Sequence, residues 1–151
     1  MTMKKKLLIA LVLPQLAGAI GGLLTAPAIS SWYQYLAKPA FSPPDWLFAP
    51  VWTTLYLLMG LSWYLAWQKN APKGLFLIHL AFNSLWSVLF FGLKNPGLAL
   101  VEIIILWGLI LAVFLQFRRY SKLSAWLLVP YLLWVSFAAY LNFSIFQLNF
   151  L

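Results

Sequence analysis

Five apolar runs, 7–24, 46–67, 75–93, 98–117 and 125–146, take up most of this chain. At a rise of ~1.5 Å per residue, each is long enough, or nearly so, to cross a hydrocarbon core of ~30 Å as a helix. What remains is a short basic N-terminus, one loop over 25–45, three short connections and a brief tail, which leaves no room for a separate soluble domain. The chain is therefore expected to be one domain, 1–151, folded as an all-α membrane protein: a five-transmembrane-helix bundle with a long capping loop between its first two helices. Composition agrees, since 64% of the residues are hydrophobic and only 8% charged, with a mean hydropathy of +0.90.

The first run has a competing reading. Lys4-Lys5-Lys6, an apolar stretch and Ala17-Gly18-Ala19 together resemble a cleavable signal peptide. The stretch continues through Ile20, Leu23 and Leu24, which is longer than a signal core and favours a membrane span. Gly18 and Gly22 form a small-xxx-small face, read here as a packing surface for a neighbouring helix.

A net charge of +8 would suggest nucleic acid in a soluble chain. In an alternating bundle, however, eight of the ten cations (Lys4, Lys5, Lys6, Lys69, Lys73, Arg118, Arg119 and Lys122) fall at one end, with only Lys38 and Lys94 opposite. The positive-inside rule then predicts a cytoplasmic N-terminus, with the C-terminus and loop 25–45 outside, and no nucleic-acid partner is implied. With no cysteine there is no disulfide, thiolate metal site or thiol nucleophile.

Polar and aromatic groups within the runs are the places to look for function, because a buried polar side chain in hydrocarbon needs a partner or a cavity. Trp52, Tyr56, Trp63 and Trp67 share one helical face, as do His79, Asn83, Trp86, Ser87 and Phe90, and again Tyr131, Trp134, Ala138 and Asn142. Trp46 and Trp126, at segment ends, read as interfacial anchors. Trp52, Trp86 and Trp134 are too deep for that role and either pack the core or line a ligand cavity; the indole N–H, which needs a partner, favours the cavity. Trp52, Glu102, Tyr140 and Asn142 all fall in the half nearest loop 25–45. The loop, stiffened by Pro27, Pro39, Pro43 and Pro44, is placed to act as a lid.

The stretch WYQYLAKPAFSPPDWLFAPVWTTLYLLMG, with HLAFNSLWSVLFFG and AWLLVPYLLWVSFAAYLNFSIFQLN, closely resembles the TspO/MBR family of tryptophan-rich sensory and translocator proteins over the whole chain. The resemblance implies a five-helix bundle, commonly homodimeric, that binds protoporphyrin IX-like tetrapyrroles, sterols and benzodiazepine-type ligands beneath the first loop. Carried over by position, it implies a cavity lined by Trp52, Tyr56, Asn83, Phe90, Trp134 and Ala138, with Tyr33, Lys38 and Pro44 in the lid. No cofactor is required, a porphyrin being a ligand, and a bacterial cell membrane is the implied location.

This sequence departs from the family pattern at His79, where an amide is usual; a hydrogen-bonded helix contact is favoured over a haem ligand. Glu102 replaces a common aspartate and either serves a proton-linked site or snorkels to water. The tail lacks the basic residue of the animal sterol-recognition pattern, and the match at Leu115, Tyr120 and Lys122 is too loose to carry weight.

Two function classes follow. One is a membrane protein that binds flat hydrophobic ligands for transport, sensing or regulation. The other is a light- and oxygen-dependent porphyrin-degrading activity using Trp52 and Trp134. Binding is favoured, because one histidine and two acids spread over the chain assemble no catalytic triad. A channel would need polar pore-lining residues that these faces lack.

Overall fold

Prolines and hydroxyl caps shift several helix boundaries from those read in the sequence. In the computed structural model, which describes residues 1–151, α1 runs Met3–Ser31 rather than 7–24. The Thr2 hydroxyl caps the Lys5 amide at 3.4 Å, so the helix starts ahead of the lysines. At its far end α1 continues through Pro27, and the hydroxyls of Thr25 and Ser31 bond back to the carbonyls of Gly21 and Pro27 at 3.0 and 2.7 Å. The connection to the next helix is accordingly shorter than 25–45, and Pro27 belongs to the helix rather than to the lid. It contains two single-turn 3-10 segments, Tyr33–Tyr35 and Asp45–Leu47.

The remaining helices are α2 (Phe48–Gln68), α3 (Gly74–Ser87), α4 (Pro96–Arg118), α5 (Lys122–Trp126) and α6 (Val129–Phe150). The run 125–146, expected as one helix, divides into α5 and α6 because Pro130 has no N–H for the Trp126 carbonyl one turn earlier. Reciprocal bonds tie the short helix to α2: Ser62 donates to the Ser124 carbonyl at 2.7 Å, and Ser124 to the Ser62 carbonyl at 2.6 Å.

With α5 and α6 counted together, five helical rods alternate in direction. Four are long and apolar enough to cross a membrane: Met3–Ser31, Gly74–Gly92, Pro96–Arg118 and Lys122–Phe150. α2, at 21 residues, matches them in length, but its tryptophans, tyrosines, threonines and serine reduce its hydropathy. The alternation collects the N-terminus of α1, the C-termini of α2 and α4 and the starts of α3 and α5 at one end, with the eight cations named above. There Lys6 and Lys73 lie over the Trp67 ring at 5.5 and 4.6 Å.

α1 and α2 are closest near this basic end. Pro14 offers no N–H to the Ala10 carbonyl, and that carbonyl faces Gly60: a Cβ there would lie 2.5 Å from the Ala10 oxygen and 3.0 Å from the Leu11 Cα. Only glycine allows this approach. Below it lies an aromatic core. Trp63 stacks on Trp67 (5.1 Å) and on Phe76 (4.8 Å), and Phe76 on Phe117 (5.8 Å).

Candidate functional site

Toward the loop end the rods part around a cavity of about 440 Å³, inside the range of roughly 300–1,000 Å³ typical of small-molecule sites. Its floor is a hydrogen-bonded chain across three helices. The Tyr56 hydroxyl donates to Asn83 Oδ1 at 2.7 Å, and Asn83 Nδ2 donates to the Tyr131 hydroxyl at 2.8 Å. Every polar group in that chain is paired, which fixes the register of α2, α3 and α6 at this level.

Trp52, Trp86 and Trp134 form the aromatic walls. Trp52 stacks on Tyr56 at 5.5 Å and meets the Tyr131 edge at 6.2 Å. Trp86 stacks on Phe90 at 5.1 Å and donates its indole N–H to Asn142 Oδ1 at 3.1 Å, while Asn142 donates to the Pro96 carbonyl at 2.8 Å. The Trp134 indole N–H has no partner within the chain. Phe90 and Phe91 both reach the wall because α3 continues as a π-helical turn, Val88–Gly92, closed by the Leu93 amide on the Val88 carbonyl at 2.8 Å. The wider turn brings two consecutive phenylalanines to one side.

The loop forms the roof. Tyr33 is buried against Phe90 and Phe91, with centroids 6.2 and 5.7 Å apart, and burial pushes its phenol above the ordinary tyrosine pKa. The Lys38 ammonium lies 4.5 Å over the Tyr33 ring, and Phe41 stacks on Tyr140 at 5.0 Å. Asn149, near the end of α6, holds the loop at both backbone groups of Ala37, accepting from its N–H at 2.9 Å and donating to its carbonyl at 2.9 Å.

Of the residues singled out from sequence, the structure brings Trp52, Tyr56, Asn83, Phe90, Trp134, Ala138 and Tyr33 to the cavity wall. Lys38 and Pro44 lie in the loop but off the wall, where Asp45 stands instead. Trp63 and Trp67, on the same face of α2 as Trp52, fall in the packed basic end. His79 is buried off the cavity, with Nδ1 2.8 Å from the Phe76 carbonyl, as a helix contact requires. Glu102 does not snorkel: it is 5% exposed, and its carboxyl oxygens have no hydrogen-bond partner in the chain. Gly18 does pack, against the Tyr56 ring, but Gly22 has no neighbour within 4 Å and opens on the cavity. The contribution of α1, including Gln15, Gly22 and Thr25, was missed. A lone glutamine in an otherwise apolar run was the available signal.

An all-helical bundle with membrane-length rods around one aromatic cavity of ligand size, roofed by the first loop, defines a membrane protein built around an internal site. The TspO/MBR family pattern matches residues 10–148. The chain is 47% identical over 142 residues to the tryptophan-rich protein TspO of Chlorobaculum tepidum, covering 89% of this chain and 90% of that one. It is 44% identical over 148 residues to the tryptophan-rich protein TspO of Archaeoglobus fulgidus, covering 94% and 96%. To the translocator protein of Bos taurus it is 39% identical over 146 residues, covering 91% and 86%. The chain belongs to the TspO/MBR family.

Proposed function

We propose that the cavity binds flat, largely apolar molecules of the tetrapyrrole or sterol class, and that this binding serves transport, sensing or regulation at a membrane whose cytoplasmic side faces the basic end. The observation that carries the reading is the cavity itself: about 440 Å³ walled by three tryptophans, with few polar groups directed into it. Indole faces offer large area at low entropic cost to a planar ligand.

The second reading, light-driven porphyrin breakdown, is favoured by one feature, the presence of Trp52 and Trp134 on the wall of the same cavity. Titration of the purified protein with protoporphyrin IX, followed in darkness by tryptophan quenching and then under illumination by loss of porphyrin absorbance, tests both. Saturable one-site binding with equal photodecay in protein and detergent blank is the outcome expected of a binder. Protein-dependent photodecay that disappears with Trp134→Phe would favour breakdown, and absence of saturable binding would contradict both readings.

A further inference from the structure

The cavity's walls are unequal. From α3, the π-helical turn, α4 and α6, every lining residue is buried or half-buried, including Asn83, Phe90, Ile103 and Asn142. The exposed lining residues all lie elsewhere: Ala19, Gly22 and Ala26 on α1, Asp45 in the 3-10 turn before α2, and Ala49 and Thr53 in the first turns of α2. The cavity therefore opens through its side, along the seam between α1 and α2.

The seam is packed at its lower part and lined by small residues above it. The two helices pack at Ala10 on Gly60 and at Gly18 on the Tyr56 ring, and are bridged by Gln15 Nε2 on the Thr53 carbonyl at 3.1 Å. One turn further toward the loop, at Ala19 and Ala49, both sides carry only a methyl group, and at Gly22 there is no side chain and no neighbour. Beyond Thr53, α2 has five more residues before it begins at Phe48, while α1 continues from Gln15 to Ser31, so α1 overshoots its neighbour by about three turns. The roof, by contrast, is fastened by the Asn149 clip on Ala37, by Tyr33 on Phe90 and by Phe41 on Tyr140. Trp46, next in the chain to Asp45, is 72% exposed, as suits an indole at the membrane interface.

We propose that the slot between α1 and the start of α2 is a lateral door through which the ligand passes directly between the bilayer and the cavity, with the loop remaining closed. This rests on the reading of the cavity as a ligand site. It further narrows the ligand to molecules that dissolve in the leaflet at the loop end, because the slot offers a lipid-facing rim of small residues. Gln15 and Thr53 mark its lower edge, and Asp45 is the one charged group at its upper edge.

The chain has no cysteine, so paired cysteines can be introduced without background. In protein reconstituted into lipid nanodiscs, A19C/A49C bridged by a bifunctional maleimide bars the slot, and A37C/N149C bridged in the same way locks the roof. Each is bridged after loading with protoporphyrin IX, and release to acceptor vesicles is followed by fluorescence. Barring the slot is expected to slow release at least tenfold, and locking the roof to change it less than about threefold. Release at the unbridged rate from the slot-barred protein, or slowing only in the roof-locked protein, would overturn the door while leaving the cavity as a binding site. Failure of the unbridged protein to load saturably would remove the cavity reading and the door with it.

Discussion

The two ends of the bundle use the same residue types for opposite purposes. At the basic end Trp63, Trp67, Phe76 and Phe117 stack with centroids 4.8 to 5.8 Å apart. At the loop end Trp52, Trp86, Trp134 and Phe90 stand around about 440 Å³. Trp52 and Trp63 even share one helical face of α2. The aromatic composition therefore does not decide which end is hollow; the distance between backbones does. Pro14 and Gly60 allow the α1 backbone to close on α2 at one end, whereas at the other the small residues Ala19, Gly22 and Ala26 leave the space beside the cavity unfilled.

The sharpest way to break this contrast is to truncate one phenylalanine at each end. Phe76 is fully buried in the stack, and Phe76→Ala is expected to destabilise by about 3–5 kcal/mol through lost burial and a new void. Phe90 is also buried, against Trp32, Tyr33, Trp86 and Phe91, but one side borders the cavity, so Phe90→Ala should lose less while weakening ligand binding. Thermal unfolding in detergent, with and without ligand, measures both; equal losses would mean that the loop end is as tightly packed as the basic end.

A smaller effect separates the glycines. Gly60→Val drives methyl groups into the α1 backbone and should destabilise by about 1–3 kcal/mol. Gly22→Val meets open space and should leave stability within about 0.5 kcal/mol. The same change should narrow the slot and slow protoporphyrin IX uptake, read by stopped-flow fluorescence.

The smallest expected change is in the roof. Replacing Pro43 and Pro44 by glycine gives the loop more freedom when it is open and should weaken the closed arrangement by about 0.4–1 kcal/mol per residue. Faster amide exchange at Tyr33 and Leu36, with unchanged exchange in α3 and α4, is the expected signature; unaltered exchange in the loop would show that its side-chain contacts alone hold it.

The contrast also shows which parts of the structure could be read from the sequence. The rods follow from run length and apolarity. Tyr56, Asn83 and Trp134 stood out because aromatic and polar residues at helical spacing in hydrocarbon are conspicuous, and Ala138 because it falls on the same face as Trp134 and Asn142. The part played by α1 was harder to see, because Ala19, Gly22 and Ala26 act by what they lack, and a missing side chain produces no periodic signal. Likewise the π-helical turn at Val88–Gly92 has no signature in its sequence, VLFFG. The Asn149 clip joins positions 112 residues apart, beyond the reach of any local pattern. The break before α6 is legible at Pro130, though the apolar run around it is otherwise continuous.

The central claim is that the tryptophans of the two ends differ in role, and a matched set of Trp→Phe variants tests it most directly. Melting temperature and dark affinity for protoporphyrin IX are measured for Trp52→Phe, Trp134→Phe, Trp63→Phe and Trp67→Phe. The account predicts that the first two keep the melting temperature and lose about 0.5–1.5 kcal/mol of affinity, the size of an aromatic contact, while the last two lower the melting temperature and keep the affinity. Unchanged affinity with lowered melting temperature at Trp52 and Trp134 would contradict it.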